Sequence, residues 1–149
     1  MFVLGYTTDQ VLHRPDPWER LHSTAVEEEK KEEPDPANAA YRATLETWLE
    51  KEKPYLNPDF QLMDLRHVLP MNRTYLSRFI RDEFGCTFYQ FVNKYRIEEA
   101  KRLMTEQPNL TIEEVAVRSG FSSRSSFTQT FTKETGLSPR EWSTKSREE

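Results

Sequence analysis

The sequence has one cysteine, Cys86, and so cannot close a disulfide within the chain. Its three histidines (His13, His22 and His67) are scattered, and with a lone cysteine they make no metal-ligand spacing. Four glycines leave no Gly-rich loop to cradle a phosphate, and no nucleophile–base pair is evident. No apolar run approaches the ~18 residues that a membrane-spanning helix needs. Met1–Tyr6 is apolar but short, and it lacks the basic start of a secretion signal. These absences speak against catalytic residues, a cofactor, a metal site and a membrane segment. Cytoplasmic residence is the expectation, and an enzyme is not.

Apolar residues are scarce too. Hydrophobic residues make up 36% of the 149 and charged residues 31%, so the core is small and the surface highly charged. Aromatics reach 12%, which implies a core built on rings. The net charge of −4 is unevenly spread. Residues 1–60 hold 7 Lys/Arg against 13 Asp/Glu, and residues 61–149 hold 14 against 12. A balance of +2 in the second part is weak for a nucleic-acid binder, so local clustering must supply the field.

Residues 1–36 contain Pro15, Pro17, Pro34, Pro36 and the charge block Glu27–Glu33. Such a composition buries too little apolar surface to offset ordering, so a disordered acidic tail or linker is expected there. It is also too short for a small-molecule pocket. Residues 37–149 read as all-α, with no strand. Tyr41, Leu45, Trp48 and Leu49 fall on one helical face between about Asn38 and Lys51. A short helix is expected near Gln61–Val68, with Leu62 and Leu65 inward. A long helix spans about 87–106, where Phe88, Phe91, Val92, Tyr95, Ala100, Leu103 and Met104 form a wide apolar stripe. Thr111-Ile-Glu-Glu114 and Ser138-Pro-Arg-Glu141 are capping boxes that open two further helices. Trp142 is expected to fold the last of these back onto its neighbours.

One pattern occurs twice. Asn72-Arg-Thr-Tyr-Leu-Ser-Arg-Phe-Ile-Arg-Asp-Glu-Phe-Gly85 and Ser123-Arg-Ser-Ser-Phe-Thr-Gln-Thr-Phe-Thr-Lys-Glu-Thr-Gly136 both begin with a good N-cap residue. Both place bulky apolar residues four and eight positions on: Leu76 and Ile80, Phe127 and Phe131. Both end in a Gly suited to a left-handed helix stop. Each follows a short amphipathic segment across a tight turn. That is a helix-turn-helix written twice, at about 61–85 and 111–136, a unit that lays its second helix in a DNA major groove.

The run from Thr111 to Trp142 closely resembles the signature of the AraC/XylS family of bacterial transcription regulators. Val115-Ala116, Gly120-Phe121, Ser123, Phe127, Phe131, Gly136 and Ser138-Pro139 carry the match. Tyr95-Arg96-Ile97 with Ala100 and Leu103, and Tyr75-Leu76-Ser77-Arg78, extend it over about residues 38–145. The chain departs from the family pattern at Arg66, where a small Ala is usual, at Pro70, where Gly is usual, and at Ser143, where Arg is common. Arg66 must snorkel outward or loosen the first unit.

The resemblance implies about seven helices, with two helix-turn-helix units joined by a linker helix ~30 Å long. One turn of B-DNA is ~34 Å, so the two reading helices could enter successive major grooves on one face. It further implies an activator of transcription, with double-stranded DNA and RNA polymerase as partners. Thr74, Ser77 and Arg78 in the first unit, and Arg124, Ser125 and Gln129 in the second, would face the bases. Arg suits guanine and Gln suits adenine, each through two hydrogen bonds. Arg73, Ser126 and Thr128 are placed at phosphates. Asn72 and Ser123 are N-caps whose helix starts can receive a phosphate. Plainer readings stand beside these. Arg78 could pair with Asp82 at i,i+4, Tyr75 is expected to pack, and Cys86 to be buried. The whole could also be a helical protein-interaction module that has lost specific DNA binding.

Overall fold

The structure, a computed structural model, describes residues 35–148. The acidic tail expected over 1–36 lies outside the described residues, apart from Asp35 and Pro36. Residues Ala37–Glu149 form one unit. Among the described residues there are six α-helices, two short 3-10 segments and no strand.

Helix α1 is Pro36–Glu52, starting two residues before the expected Asn38 because Pro36 is preset for a first helical turn. Leu45 and Leu49 are buried on its inner face, with Tyr41 and Trp48 half-buried beside them. Lys53 stops the helix in the left-handed region, at φ 47°. A 3-10 turn, Pro54–Leu56, follows; sequence reading had marked only a helix end there. The short helix expected near 61–68 is a second 3-10 segment, Leu62–His67, with Leu65 fully buried and Leu62 half-buried. Arg66 on it is exposed, so the long cation has turned to solvent.

Helices α2 (Arg73–Phe84), α3 (Phe88–Glu106), α4 (Ile112–Arg118), α5 (Arg124–Thr135) and α6 (Pro139–Glu148) complete the chain. The starts of α2, α4, α5 and α6 follow the caps read from sequence, and α3 starts one residue after the expected Thr87, which is its cap. The Asn72, Thr87, Thr111 and Ser123 side chains each accept from a backbone N–H three residues on. The Ser138 hydroxyl and the Glu141 carboxylate exchange bonds with each other's N–H at 3.1 and 3.0 Å. Gly85 and Gly136 end α2 and α5 at φ 69° and 81°, which glycine adopts without a side-chain clash.

Two hydrophobic cores form, and α3 serves both. Phe91 and Val92 enter the first, with Leu45, Leu49, Leu65, Leu76 and Ile80. Ile97, Ala100 and Met104 enter the second, with Val115, Phe127 and Phe131. Rings do much of the packing. Phe84, Phe91, Tyr95 and Tyr55 run in series at 4.4, 5.2 and 5.3 Å between centroids. Phe121, Phe127, Phe131 and Trp142 do the same at 5.2, 5.5 and 5.9 Å, so Trp142 holds α6 against the second core as expected. Cys86, expected buried, is half-buried at the edge of the first core. It lies in the three-residue link 85–87 before α3, where the chain is only partly covered.

The joint between the halves rests on Arg96. This α3 residue is buried, and its Nε donates to the Tyr55 carbonyl at 2.7 Å. Its outer guanidinium nitrogen donates to the Asn57 carbonyl at 3.0 Å. Gly120, in the turn after α4, lies against the same spot. A Cβ built on it would sit 2.3 Å from the Tyr55 carbonyl oxygen and 2.9 Å from Arg96 Nε, and φ is 98°. Backbone of the second unit therefore touches backbone beside the first, with no room for a methyl group.

Replacing Gly120 with Ala imposes both a left-handed strain and a clash with main chain. Loss of about 2–4 kcal/mol of unfolding free energy is expected in urea titration. The same change at Gly85 or Gly136, where a Cβ meets nothing, has only the conformational cost of about 1–2 kcal/mol.

Candidate nucleic-acid interface

Helix α2 buries Leu76, Phe79 and Ile80, a stripe at i, i+3 and i+4 that fixes which face turns outward. Asn72, Arg73, Thr74, Tyr75 and Ser77 are exposed on the other side, and Arg78 is half-buried. The Asn72 carboxamide oxygen accepts from the Tyr75 N–H at 3.0 Å, which fixes the first turn. Helix α1 holds the other end. Arg42 stacks 4.6 Å from the Phe84 ring centroid and donates to the Glu83 carbonyl at 2.7 Å. That bond satisfies a carbonyl the helix end leaves open, and the cation lies on the ring face.

The pair of Arg78 with Asp82, read from sequence as the plainer alternative to base contact, is present, with Nε 3.7 Å from the carboxylate. An exposed i,i+4 pair is worth about 0.3–0.5 kcal/mol, against ~1–3 kcal/mol for a bidentate base contact. The pair therefore does not prevent Arg78 from exchanging partners. Tyr75 corrects the sequence reading. It was expected to pack, and 60% of it is exposed. It stands a full residue step off the Leu76–Phe79–Ile80 stripe, a signal that a helical wheel carries and that the aromatic character of the residue overrode.

Helix α5 is built alike. The Ser123 hydroxyl accepts from the Ser126 N–H at 3.0 Å, and Phe127 and Phe131 are fully buried. Arg124, Ser125 and Gln129 are exposed; Ser126 and Thr128 are half-buried. The two helices each have 12 residues, each starts on a side-chain cap, and each stops at a left-handed glycine. Upstream of α5 stands α4 across the Gly120 turn, and upstream of α2 stands the 3-10 segment Leu62–His67 across Pro70-Met71.

Between them runs α3, 19 residues and so about 28 Å long. Its outer surface is stiffened by charge. Both guanidinium ends of Arg102 engage carboxylates, at 2.6 and 3.0 Å on Glu99 and 2.7 Å on Glu106. The Arg102 hydrogen bonds hold the buried Glu99 carboxyl below its usual 4.5, against the opposing push of burial. The same bonds raise Arg102. Among the described residues no group of acidic, His or Cys side chains could hold a metal ion, and no helix is long and apolar enough to cross a membrane.

Two helix-turn-helix units at the ends of one helix define the class: a double helix-turn-helix protein. Residues 66–145, more than half of the chain, match a helix-turn-helix domain family, and the chain belongs to the AraC-type branch of that family. An uncharacterized helix-turn-helix-type transcriptional regulator of Staphylococcus aureus is 32% identical over 88 residues, which is 59% of this chain and 12% of the relative. The transcriptional activator RhaR of Cronobacter sakazakii is 37% identical over 67 residues, 45% of this chain and 23% of RhaR. This chain thus spans about an eighth of the length of the first relative and under a quarter of the second. The DNA-binding domain of AdpA, a global transcriptional factor solved with a target DNA, superposes with a TM-score of 0.61 at 25% identity, covering 72% of this chain and 92% of that one.

The charge pairing on α3 has a pH signature. A depressed carboxyl adds stability above its unfolded pKa, and that share is lost as pH falls through the lower folded value. Glu99→Gln is therefore expected to lower stability near neutrality. Its deficit against the wild type should shrink as denaturation is repeated from about pH 6 down to about pH 3.

Proposed function

We propose that this chain is a sequence-specific DNA-binding transcription regulator. It sets α2 and α5 into successive major grooves on one face of a duplex, and it acts as an activator with RNA polymerase as partner. The observation that carries the reading is the matched construction of the two helices. Each buries only its apolar stripe and leaves a polar N-terminal face open, at opposite ends of one stiff spacer. The solved AdpA domain, which holds a target DNA, supports double-stranded DNA as the ligand. The likeness to the activator RhaR supports the direction of regulation.

In this reading Thr74, Ser77 and Arg78 reach bases from α2, and Arg124, Ser125 and Gln129 reach them from α5. Arg73, Ser126 and Thr128 contact phosphates, and the capped starts at Asn72 and Ser123 add main-chain donors. Tyr75 joins the first set, since its exposed ring can pack on a thymine methyl or a sugar.

Binding-site selection on the purified chain is expected to return two short half-sites about one helical turn apart, with affinity falling steeply as salt rises. Affinity that ignored both sequence and salt would reject the proposal. Arg124→Ala is expected to relax base preference at one position at a cost of ~1–3 kcal/mol; an unaltered preference would remove Arg124 from the reading set. Tyr75→Ala should weaken the specific complex while changing unfolding free energy by less than about 0.5 kcal/mol.

A further inference from the structure

A groove of about 440 Å³ opens on the second unit, between the α3–α4 connection, the start of α5 and one face of α6. Arg124, Arg140 and Arg147 all line it, and Glu113 is the one carboxylate among its lining residues. Arg140, Thr144 and Arg147 recur at i, i+4 and i+7, so one face of α6 presents two cations with the hydroxyls of Ser143 and Thr144 between them.

These arginines differ from the others around them. Arg42 and Arg102 are tied to carboxylates, and Arg96 to two carbonyls. Among the described residues no carboxylate pairs with Arg124, Arg140 or Arg147, and the one hydrogen bond from the three guanidinium groups is Arg147 to the Pro108 carbonyl at 3.3 Å. Three guanidinium groups thus converge on an open groove with a single opposing charge. A planar fork of donors on a weakly hydrated cation matches a phosphate oxygen pair. Arg124 stands at the first residue of α5, so the groove is continuous with the face proposed to enter DNA.

We propose that Arg140 and Arg147 form a phosphodiester clamp that grips the DNA strand beside the groove read by α5. The inference rests on the regulator reading and adds two residues on α6 to its contacts. They fix register and affinity, and they leave base choice to α5.

The test measures salt dependence on the full chain with its selected duplex. Each phosphate contact removed lowers the slope of log affinity against log salt by about 0.9, so Arg140→Gln/Arg147→Gln is expected to lose about 1.8 with base preference intact. Lys133→Gln/Lys145→Gln removes the same charge from exposed positions outside the groove and is expected to change the slope far less. Thermal denaturation of both variants checks folding. An unchanged slope in the arginine variant, or an equal drop in the lysine variant, overturns the clamp while wild-type binding keeps the regulator reading. Altered base preference in the arginine variant also overturns it. Titration with inorganic phosphate at low salt covers the other source of the same chemistry. Tight phosphate binding that the arginine variant abolishes, with duplex affinity unmoved, assigns the groove to a free anion instead. Failure of the wild type to bind any duplex removes the regulator reading and the clamp together.

Discussion

Arg96 brings a positive charge into the interior of the joint, where no carboxylate among the described residues meets it. Two main-chain carbonyls, of Tyr55 and Asn57, take its hydrogen bonds instead. Burial lowers its proton affinity, yet an arginine begins so high that it stays charged. A buried cation of this kind is costly to leave unpaired, so the carbonyls and the guanidinium hold each other in place. The turn they fix is also the surface on which Gly120 rests. A single side chain thereby ties the linker helix, the turn after α1 and the turn between α4 and α5 into one joint. The relative placement of α2 and α5, on which any reading of two grooves depends, follows from that joint and from the stiffness of α3.

The two cores explain why so small an apolar fraction suffices. Aromatic rings fill them in short series, and each ring covers more area than an aliphatic side chain does. Charge is then free to occupy the outside. On α3 it braces the helix through Glu99, Arg102 and Glu106, and at the end of α2 it fastens Arg42 to Phe84 and Glu83. On α6, Arg140 and Arg147 meet no carboxylate among the described residues. The weak positive balance of residues 61–149 is thus compatible with local concentration of cations, because many of the carboxylates are already engaged elsewhere.

Local chemistry was legible in the sequence and long-range chemistry was not. Asn72, Thr111, Ser123 and Ser138 announce helix starts because a cap acts within three residues, and Gly85 and Gly136 announce stops for the same reason. The 3-10 turn Pro54–Leu56 left no such mark, since its role comes from Arg96, about forty residues away. Arg96 stood out in the sequence only as part of the family match at Tyr95-Arg96-Ile97; its carbonyl partners have no sequence signature. Tyr75 was misplaced because a tyrosine next to Leu76 suggests packing, and only the phase of the stripe puts it outside. Arg140 and Arg147 went unnoticed because they gather with Arg124 only after α6 folds back on Phe131 through Trp142.

Helix α3 belongs to both cores along its length, with Phe91 and Val92 given to one and Ile97, Ala100 and Met104 to the other. Opening one half strips a flank from the rod the other is built on, so the two are coupled through α3. The amides at the centre of α3, covered from both cores, are therefore expected to be among the slowest of the described residues to exchange with solvent. Damage to α3 therefore reaches α2 and α5 alike.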